Sequence, residues 1–352
     1  MFATAGKNAL FLLLVIVMLV AVPVMAQKKS NETAPAGVPV LWRDPGDVTK
    51  RDLRYGPGSA ELAPVGPFTF GGEESTGASP KFKVTDARGD TWVVKLGVEA
   101  QAETVATRII WSVGYFADEA YYLDRVEIKN LPKLSRGQEF VEGKSIIRGA
   151  RFEPKRKGIE RGINWDWEEN PFVQTRELDG LKVLMVLLGN YDTRLANNKI
   201  LTATNGTTVE ARYVATDVGA TLGKVGGLGG KRSKNSLADF QSSKFITGVE
   251  NGFVKFDYST KPKGMGAFAS LFKPSYRSSQ AKKERAMKTI TVANARWMGS
   301  VLAQLSDDQL RDAFRAASYD AATMEGFIKV IRARIAELNN LQNASVTASA
   351  VK

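Results

Sequence analysis

The sequence predicts an α+β fold in two lobes, β-rich in its N-terminal part and mainly helical in its C-terminal part. Three observations predict it. Between about residues 66 and 154, short apolar runs separated by turn residues dominate, with a single helical stretch among them. From about residue 160 the apolar residues recur at spacings of three and four, one hairpin excepted. The chain has 352 residues, 43% of them hydrophobic and 24% charged, which suits two domains or one two-lobed unit with well-filled cores. Two unlike halves in this order leave a cleft between them.

The elements follow in order. Lys7 precedes an apolar run from Ala9 to Met25, and Val24-Met25-Ala26 is followed by polar Gln27-Lys28-Lys29. Residues 1–26 therefore read as a signal peptide cleaved after Ala26, which implies a secreted or periplasmic protein. A run of 17 residues also allows an uncleaved N-terminal membrane anchor. No later segment is apolar enough to span a bilayer. Residues 27–65, rich in Pro, Gly and Ala, read as a flexible leader in which Leu41-Trp42 could dock.

The N-lobe, 66–155, opens with a short strand over Pro67–Phe70. Lys81–Thr85 and Thr91–Leu96 flank the turn Asp86-Ala87-Arg88-Gly89-Asp90 and form a hairpin. Glu99–Val113 is helical, because Ala102, Val105, Ala106, Ile109, Ile110 and Val113 share one face; Gly114 ends it. Tyr121–Ile128 and Ser145–Phe152 read as further strands. The C-lobe, 156–341, begins with a buried helix over Arg176–Leu188. Ile200–Ala203 and Val209–Ala215 flank Asn205-Gly206, a strong hairpin signal. The Gly-, Ser- and Lys-rich segment 222–280 reads as mostly irregular. Residues 281–341 are helical, with Ser306-Asp307-Asp308-Gln309 as a capping sequence, and 342–352 is a disordered tail.

Composition narrows the chemistry. With no histidine, imidazole bases and His-ligated zinc are excluded. With no cysteine, disulfides, thiol nucleophiles and iron–sulfur clusters are excluded as well. Carboxylates, Lys, Arg, hydroxyls, amides and oxygen-held metals remain. The net charge of +12 favours anionic partners.

Lys95 lies inside the apolar run Trp92-Val93-Val94-Lys95-Leu96, where a bare ammonium is expensive to bury. Glu103 shares the apolar face of the next helix with Ala106, Ile110 and Val113, so it can answer Lys95. A strand lysine tied to a helix glutamate is how kinases hold a lysine on nucleotide phosphates. A snorkelling lysine with a solvated glutamate is the plainer reading. Gly71-Gly72 and Gly77-Ala78-Ser79-Pro80-Lys81 precede the hairpin and could admit phosphate oxygens to backbone N–H groups; a surface turn is the alternative. Gly226–Ser233 fails the P-loop pattern at Val225 and Arg232.

In Gly189-Asn190-Tyr191-Asp192-Thr193-Arg194-Leu195-Ala196-Asn197, Asp192 and Asn197 stand five apart, as in a kinase catalytic loop. The following hairpin returns to Asp217-Val218-Gly219. This order lets Asn197 and Asp217 share Mg²⁺ while Asp192 faces an acceptor hydroxyl. Helix caps and turn residues account for the same set without chemistry.

Over about residues 66–220 the chain resembles the HipA-like branch of the atypical kinases, which adjoin the phosphatidylinositol-kinase-like fold. Gly77-Ala78-Ser79-Pro80-Lys81 resembles that family's G-x-x-P-K phosphate loop, and Trp92-Val93-Val94-Lys95 its strand lysine. Arg151-Phe152-Glu153 resembles its R-F-D strand, Asn190-Tyr191-Asp192 through Asn197 its N-x-D-x-x-x-x-N loop, and Asp217 its metal aspartate. The resemblance implies a protein-kinase-like fold binding ATP and Mg²⁺. Gly77, Ala78, Ser79, Lys81 and Lys95 would line the nucleotide site. Asp192, Lys95 and Glu103 would be the catalytic set, and Asn197 and Asp217 the metal ligands. Asp217-Val218-Gly219 is nearer to D-F-G than to the family's usual sequence, and export departs from its cytosolic habit. The expectation is an exported phosphotransferase acting on an unidentified protein or small-molecule hydroxyl; the alternative is a catalytically idle pseudokinase serving as an envelope scaffold.

Trp165-Asp166-Trp167 with Asn170-Pro171-Phe172 reads as either a stacking platform or packing at the lobe junction. The basic residues Lys155-Arg156-Lys157, Lys224, Lys231, Arg232 and Lys234 read as a site for an acidic partner or as solvated loops. No nucleic-acid module is recognisable, so nucleic acid is not an expected partner.

Overall fold

Alternation of apolar and polar residues builds the first half of the chain. The computed structural model describes residues 36–75, 77, 79–155, 160–226, 232–260 and 274–342. The expected signal peptide, Ala78, most of 226–231 and the tail beyond Gln342 lie outside the described residues. The early strands are β1 (Val38–Val40), β2 (Phe68–Glu74), β3 (Lys81–Thr85), β4 (Thr91–Leu96), β5 (Tyr121–Lys129), β6 (Val141–Glu142) and β7 (Ile146–Pro154). Phe82 and Val84 on β3, and Trp92, Val94 and Leu96 on β4, are buried on one side.

The strand order is β4-β3-β2-β5-β7-β6, and β4 also pairs with β7, so five strands close into a barrel. The β4–β7 seam is long and antiparallel, from Trp92 opposite Pro154 to Leu96 opposite Ala150. The β2–β5 seam is parallel and spans only Phe68 and Thr69 opposite Ile128 and Lys129. Phe68, Phe82, Trp92, Ile128, Ile147 and Phe152 fill the interior as a core of their own. Closure leaves few strand edges exposed.

A second, larger core gathers the remaining elements. They are α1 (Glu99–Ser112), β8 (Glu160–Asn164), α2 (Arg176–Leu187), β9 (Asn198–Asn205), β10 (Thr208–Ala215), α3 (Leu237–Ser242), β11 (Ile246–Glu250), β12 (Phe253–Phe256), α4 (Pro274–Met287), α5 (Val292–Leu302), α6 (Asp307–Arg315) and α7 (Ala321–Asn339). Caps set the helix starts. The Thr175 side chain accepts from the Leu178 N–H at the start of α2, and Ser306 and Gln309 form the expected capping box on α6. Helix α1 lies between the elements of the barrel and the helices. It follows β4, yet Ala102, Val105, Ala106, Ile109 and Ile110 belong to the larger core.

Two expectations are corrected. Residues 36–65 are not a flexible leader. β1 adds in parallel to β10, Leu41, Val48 and Leu53 are buried, and the Trp42 indole N–H donates to the Val113 carbonyl at 2.7 Å. Pro and Gly keep this stretch from forming long elements, but a buried apolar residue every few positions docks it all the same. Nor is 222–280 wholly irregular, since it holds α3 and the β11–β12 hairpin. Phe240 of α3 is fully buried beneath the Arg334 guanidinium, 4.0 Å from its ring. No helix among the described residues is long and apolar enough to cross a membrane.

Candidate active site

The site begins with a charge problem on the barrel. Lys95 on β4 stands opposite Lys81 on β3 and Arg151 on β7. Like charges abreast on a sheet repel, so carboxylates are needed here. Glu103 of α1 bridges two of the cations: one oxygen lies 2.9 Å from Lys95 Nζ and the other 3.5 Å from the Arg151 guanidinium. The expected Lys95–Glu103 ion pair is therefore present, with Lys95 6% and Glu103 2% exposed. Glu99, one turn earlier on α1, approaches Lys95 Nζ to 3.0 Å, and Asp217 to 2.5 Å. Arg151 also pairs with Glu153 at 3.1 Å.

These contacts set the protonation states. Burial works to depress Lys95, but Glu103, Asp217 and Glu99 outweigh it and hold the pKa above the ordinary lysine range. Burial likewise works against the charge on Arg151, and Glu103 and Glu153 reverse that, raising its pKa. Burial would raise Glu99, yet Lys95, Lys234 and Ser79 together bring it down to about 2.

The opposite wall is built from loops. After α2, Gly189 turns the chain at a φ of +69°. The Asn190 side chain accepts from the Asp192 N–H at 2.9 Å, a local turn that only a short polar side chain makes. The Asn197 amide donates to the Asp192 carbonyl at 2.9 Å, closing the loop. The Asn197 carbonyl accepts from the Thr216 N–H at 2.7 Å, which puts the residue before Asp217 against Asn197. Asp217 itself sits at a φ of +51°, a region Asp tolerates better than most residues. Two residues on, a Cβ at Gly219 would meet Glu99 Cβ at 2.8 Å and Glu103 Oε2 at 3.2 Å. Gly219 is thus what lets this turn press against α1 and bring Asp217 to Lys95.

Trp165 and Trp167 brace this wall. Their indole N–H groups donate to the Val214 and Thr193 carbonyls at 3.0 and 3.1 Å. Both are buried, which decides between the two readings of this pair in favour of packing. The Asp192 carboxylate is engaged by Arg194 at 2.9 Å and Lys283 at 3.6 Å. Burial lowers the pKa of Lys283.

Gly77, Ser79, Lys81, Lys95, Glu103, Asp192, Asn197 and Asp217 all line one cavity of about 1050 Å³. The structure thus brings every described member of the predicted set together; Ala78 lies outside the described residues. Gly77 is held by Arg136, which donates to its carbonyl at 2.9 Å. Three residues were missed from the sequence, Glu99, Arg194 and Lys283, and Lys234, read only as part of a basic cluster for an acidic partner, joins the site through Glu99. Glu99, four residues after Lys95, carried a legible signal as the first carboxylate of the helix that supplies Glu103. Arg194 stands two residues after Asp192 in the same loop, while Lys234 and Lys283 are brought in by tertiary packing.

Asn197 and Asp217 suit Mg²⁺ by donor type. Asn197 spends its amide N–H₂ on the Asp192 carbonyl, its Oδ1 accepts only a long 3.4 Å bond from Arg194 Nε that a cation can replace, and Asp217 adds a carboxylate. Mg²⁺ typically takes one or two carboxylates and completes its shell with phosphates and water. Among the described residues no group of three or more acidic side chains is placed to hold a metal by itself.

No protein-family model and no curated protein matches the chain. Among solved structures the chain is similar to the Helicobacter pylori proinflammatory kinase CtkA, at 13% identity and a TM-score of 0.34, over 78% of this chain and 97% of that one. It is also similar to the Golgi casein kinase, at 10% identity and a TM-score of 0.30, over 95% of this chain and 92% of that one. At such distance neither likeness bears on the site, which stands on its own geometry.

Proposed function

We propose that the chain is an exported phosphotransferase of two-lobed, protein-kinase-like architecture, using ATP and Mg²⁺ to phosphorylate an acceptor hydroxyl. The observation that carries this reading is the convergence of Lys95, Glu103, Asp192, Asn197 and Asp217 on one cavity. Residues from a barrel strand, a helix, a loop and a hairpin end meet there without a histidine or cysteine, and phosphoryl transfer needs neither.

The roles follow from position. Lys95, oriented by Glu103, contacts the nucleotide phosphates. Ser79 and Lys81, on the loop and strand before it, flank them. Asn197 and Asp217 hold Mg²⁺, which supplies positive charge to the phosphate oxygens when bound. Asp192, oriented by Arg194 and Lys283, accepts the proton of the acceptor hydroxyl.

Thermal unfolding of the purified protein with and without ATP and Mg²⁺ tests this. Ligand at 100 times Kd adds about 2.7 kcal/mol of stability. No shift at millimolar MgATP overturns the nucleotide site. Asp217→Ala is expected to lose Mg²⁺-dependent ATP binding, whereas Asp192→Ala keeps binding and loses transfer.

One observation favours an idle pseudokinase acting as a scaffold. Asp192 and Lys95 are both fully engaged in ion pairs within the protein. Wild-type protein that binds MgATP but transfers phosphate to no protein, itself included, decides for the scaffold.

A further inference from the structure

Three donors suited to phosphate oxygens meet on one side-chain carboxylate. Ser79 Oγ donates to Glu99 Oε2 at 2.7 Å, and Lys95 Nζ lies 3.0 Å from the same oxygen. Lys234 Nζ is paired with the other oxygen, Oε1. All four residues line the cavity. Ser79 comes from the loop before β3, Lys95 from β4 and Lys234 from the segment before α3, so tertiary structure assembles the group.

Lys95 does not need Glu99 for neutralisation, because Glu103 and Asp217 already pair with it. The two helix glutamates also differ in freedom. Glu103 is clamped between Lys95 and Arg151 and is 2% exposed. Glu99 is the first residue of α1, its side chain is 16% exposed and that of Lys234 33%, so a rotamer change can carry it out without disturbing the helix. A carboxylate oxygen and a phosphate oxygen ask the same of their donors: charge-assisted bonds of about 2.7–2.9 Å.

We infer that Ser79, Lys95 and Lys234 form a phosphate-binding site which the Glu99 carboxylate fills in the ligand-free protein, so that an incoming polyphosphate binds by displacing Glu99. Lys234 is then a phosphate-binding residue, and Glu99 an internal competitor that weakens the apparent affinity. The identity of the polyphosphate as a nucleotide rests on the function proposed above; the anion site does not.

The test is calorimetric titration with inorganic tripolyphosphate and, separately, with MgATP. Glu99→Gln removes the competing charge and is expected to tighten tripolyphosphate binding about tenfold or more, because the binding-competent state no longer has to be opened. Glu99→Ala is expected to do the same, which guards against a fold defect in either variant. Lys234→Met placed on Glu99→Gln is expected to weaken binding about tenfold. Equal or weaker binding by both Glu99 variants overturns the inference, and an unchanged affinity on adding Lys234→Met overturns the assignment of Lys234. If the Glu99 variants gain tripolyphosphate affinity while no form binds MgATP, the nucleotide reading falls and the anion site stands. If wild type binds MgATP and the Glu99 variants bind no polyphosphate more tightly, the reverse holds.

Discussion

The two walls of the cavity fix their functional residues by different means. On the barrel side, Lys95, Arg151, Glu99 and Glu103 are side chains on β4, β7 and α1, and each charge is held by another charge. On the loop side, neutral hydrogen bonds fix the backbone that carries Asp192, Asn197 and Asp217: the Asp192 N–H donates to Asn190, the Asn197 amide to the Asp192 carbonyl, and the Thr216 N–H to the Asn197 carbonyl, while the Asp192 carboxylate adds ion pairs to Arg194 and Lys283 and Asp217 one to Lys95. The difference teaches where stability and chemistry separate. Within the barrel-side network the Lys95–Glu103–Arg151 link is buried and reciprocal, so removing Glu103 weakens the hold on two cations in a low-dielectric setting, whereas Glu99 is the replaceable member. The loop-side carboxylates are partly open to the cavity, and their positions depend on backbone groups that substitutions at Asp192 or Asp217 leave in place.

The sharpest way to break this contrast is Glu103→Leu. It removes the carboxylate that bridges the buried Lys95 and Arg151, leaving the Arg151 guanidinium with Glu153 and the attraction of Asp118. Breaking a buried pair of this kind costs about 3–5 kcal/mol. Chemical denaturation should show that loss, together with loss of MgATP binding. A cost below about 1 kcal/mol, the range of a surface pair, would mean that the barrel-side charges do not act as a unit.

The same contrast explains what could be read from the sequence. Lys95 was legible because a charge in the middle of an apolar strand must find a partner, and Glu103 because it shares a helix face with Ala106 and Ile110. The loop residues were legible through their spacing and the Asn205-Gly206 turn that follows them. Barrel closure was not legible: its β2–β5 seam is two residues long, and the alternation in these strands is the same in an open sheet. The docking of 36–65 was hidden by its Pro and Gly content, although Leu41, Val48 and Leu53 are the residues that anchor it. Lys234 and Lys283 come from segments far along the chain, and periodicity carries no information about which distant cation will reach a given carboxylate.

A smaller effect is expected on the loop side. Trp167→Phe keeps the ring's packing against Trp165 but removes the 3.1 Å bond to the Thr193 carbonyl, next to Asp192. One such hydrogen bond contributes about 1 kcal/mol. Stability should fall by about that amount, and phosphate transfer should fall by more than MgATP affinity does. Equal losses in both would show that the loop side also supports the nucleotide and that the division between the walls is too sharp.

The smallest effect tests the barrel side by pH. Glu99 has an ordinary carboxylate value of 4.5 and is held down to about 2 in the folded protein by Lys95, Lys234 and Ser79 against the opposing effect of burial. A carboxylate lowered on folding contributes stability above its unfolded value and loses it as pH falls toward its folded one. The unfolded chain binds the proton first, so the Glu99 contribution declines between about pH 4.5 and pH 2 and is constant at higher pH. Acid titration of the unfolding free energy should therefore fall less steeply in Glu99→Gln than in wild type within that window, by at most one proton's worth of slope. Above pH 6 the two curves should run parallel. Identical slopes in the acid window would mean that Lys95, Lys234 and Ser79 do not hold Glu99 in its charged form, and with that the barrel side would lose its claim to be a network of mutually fixed charges.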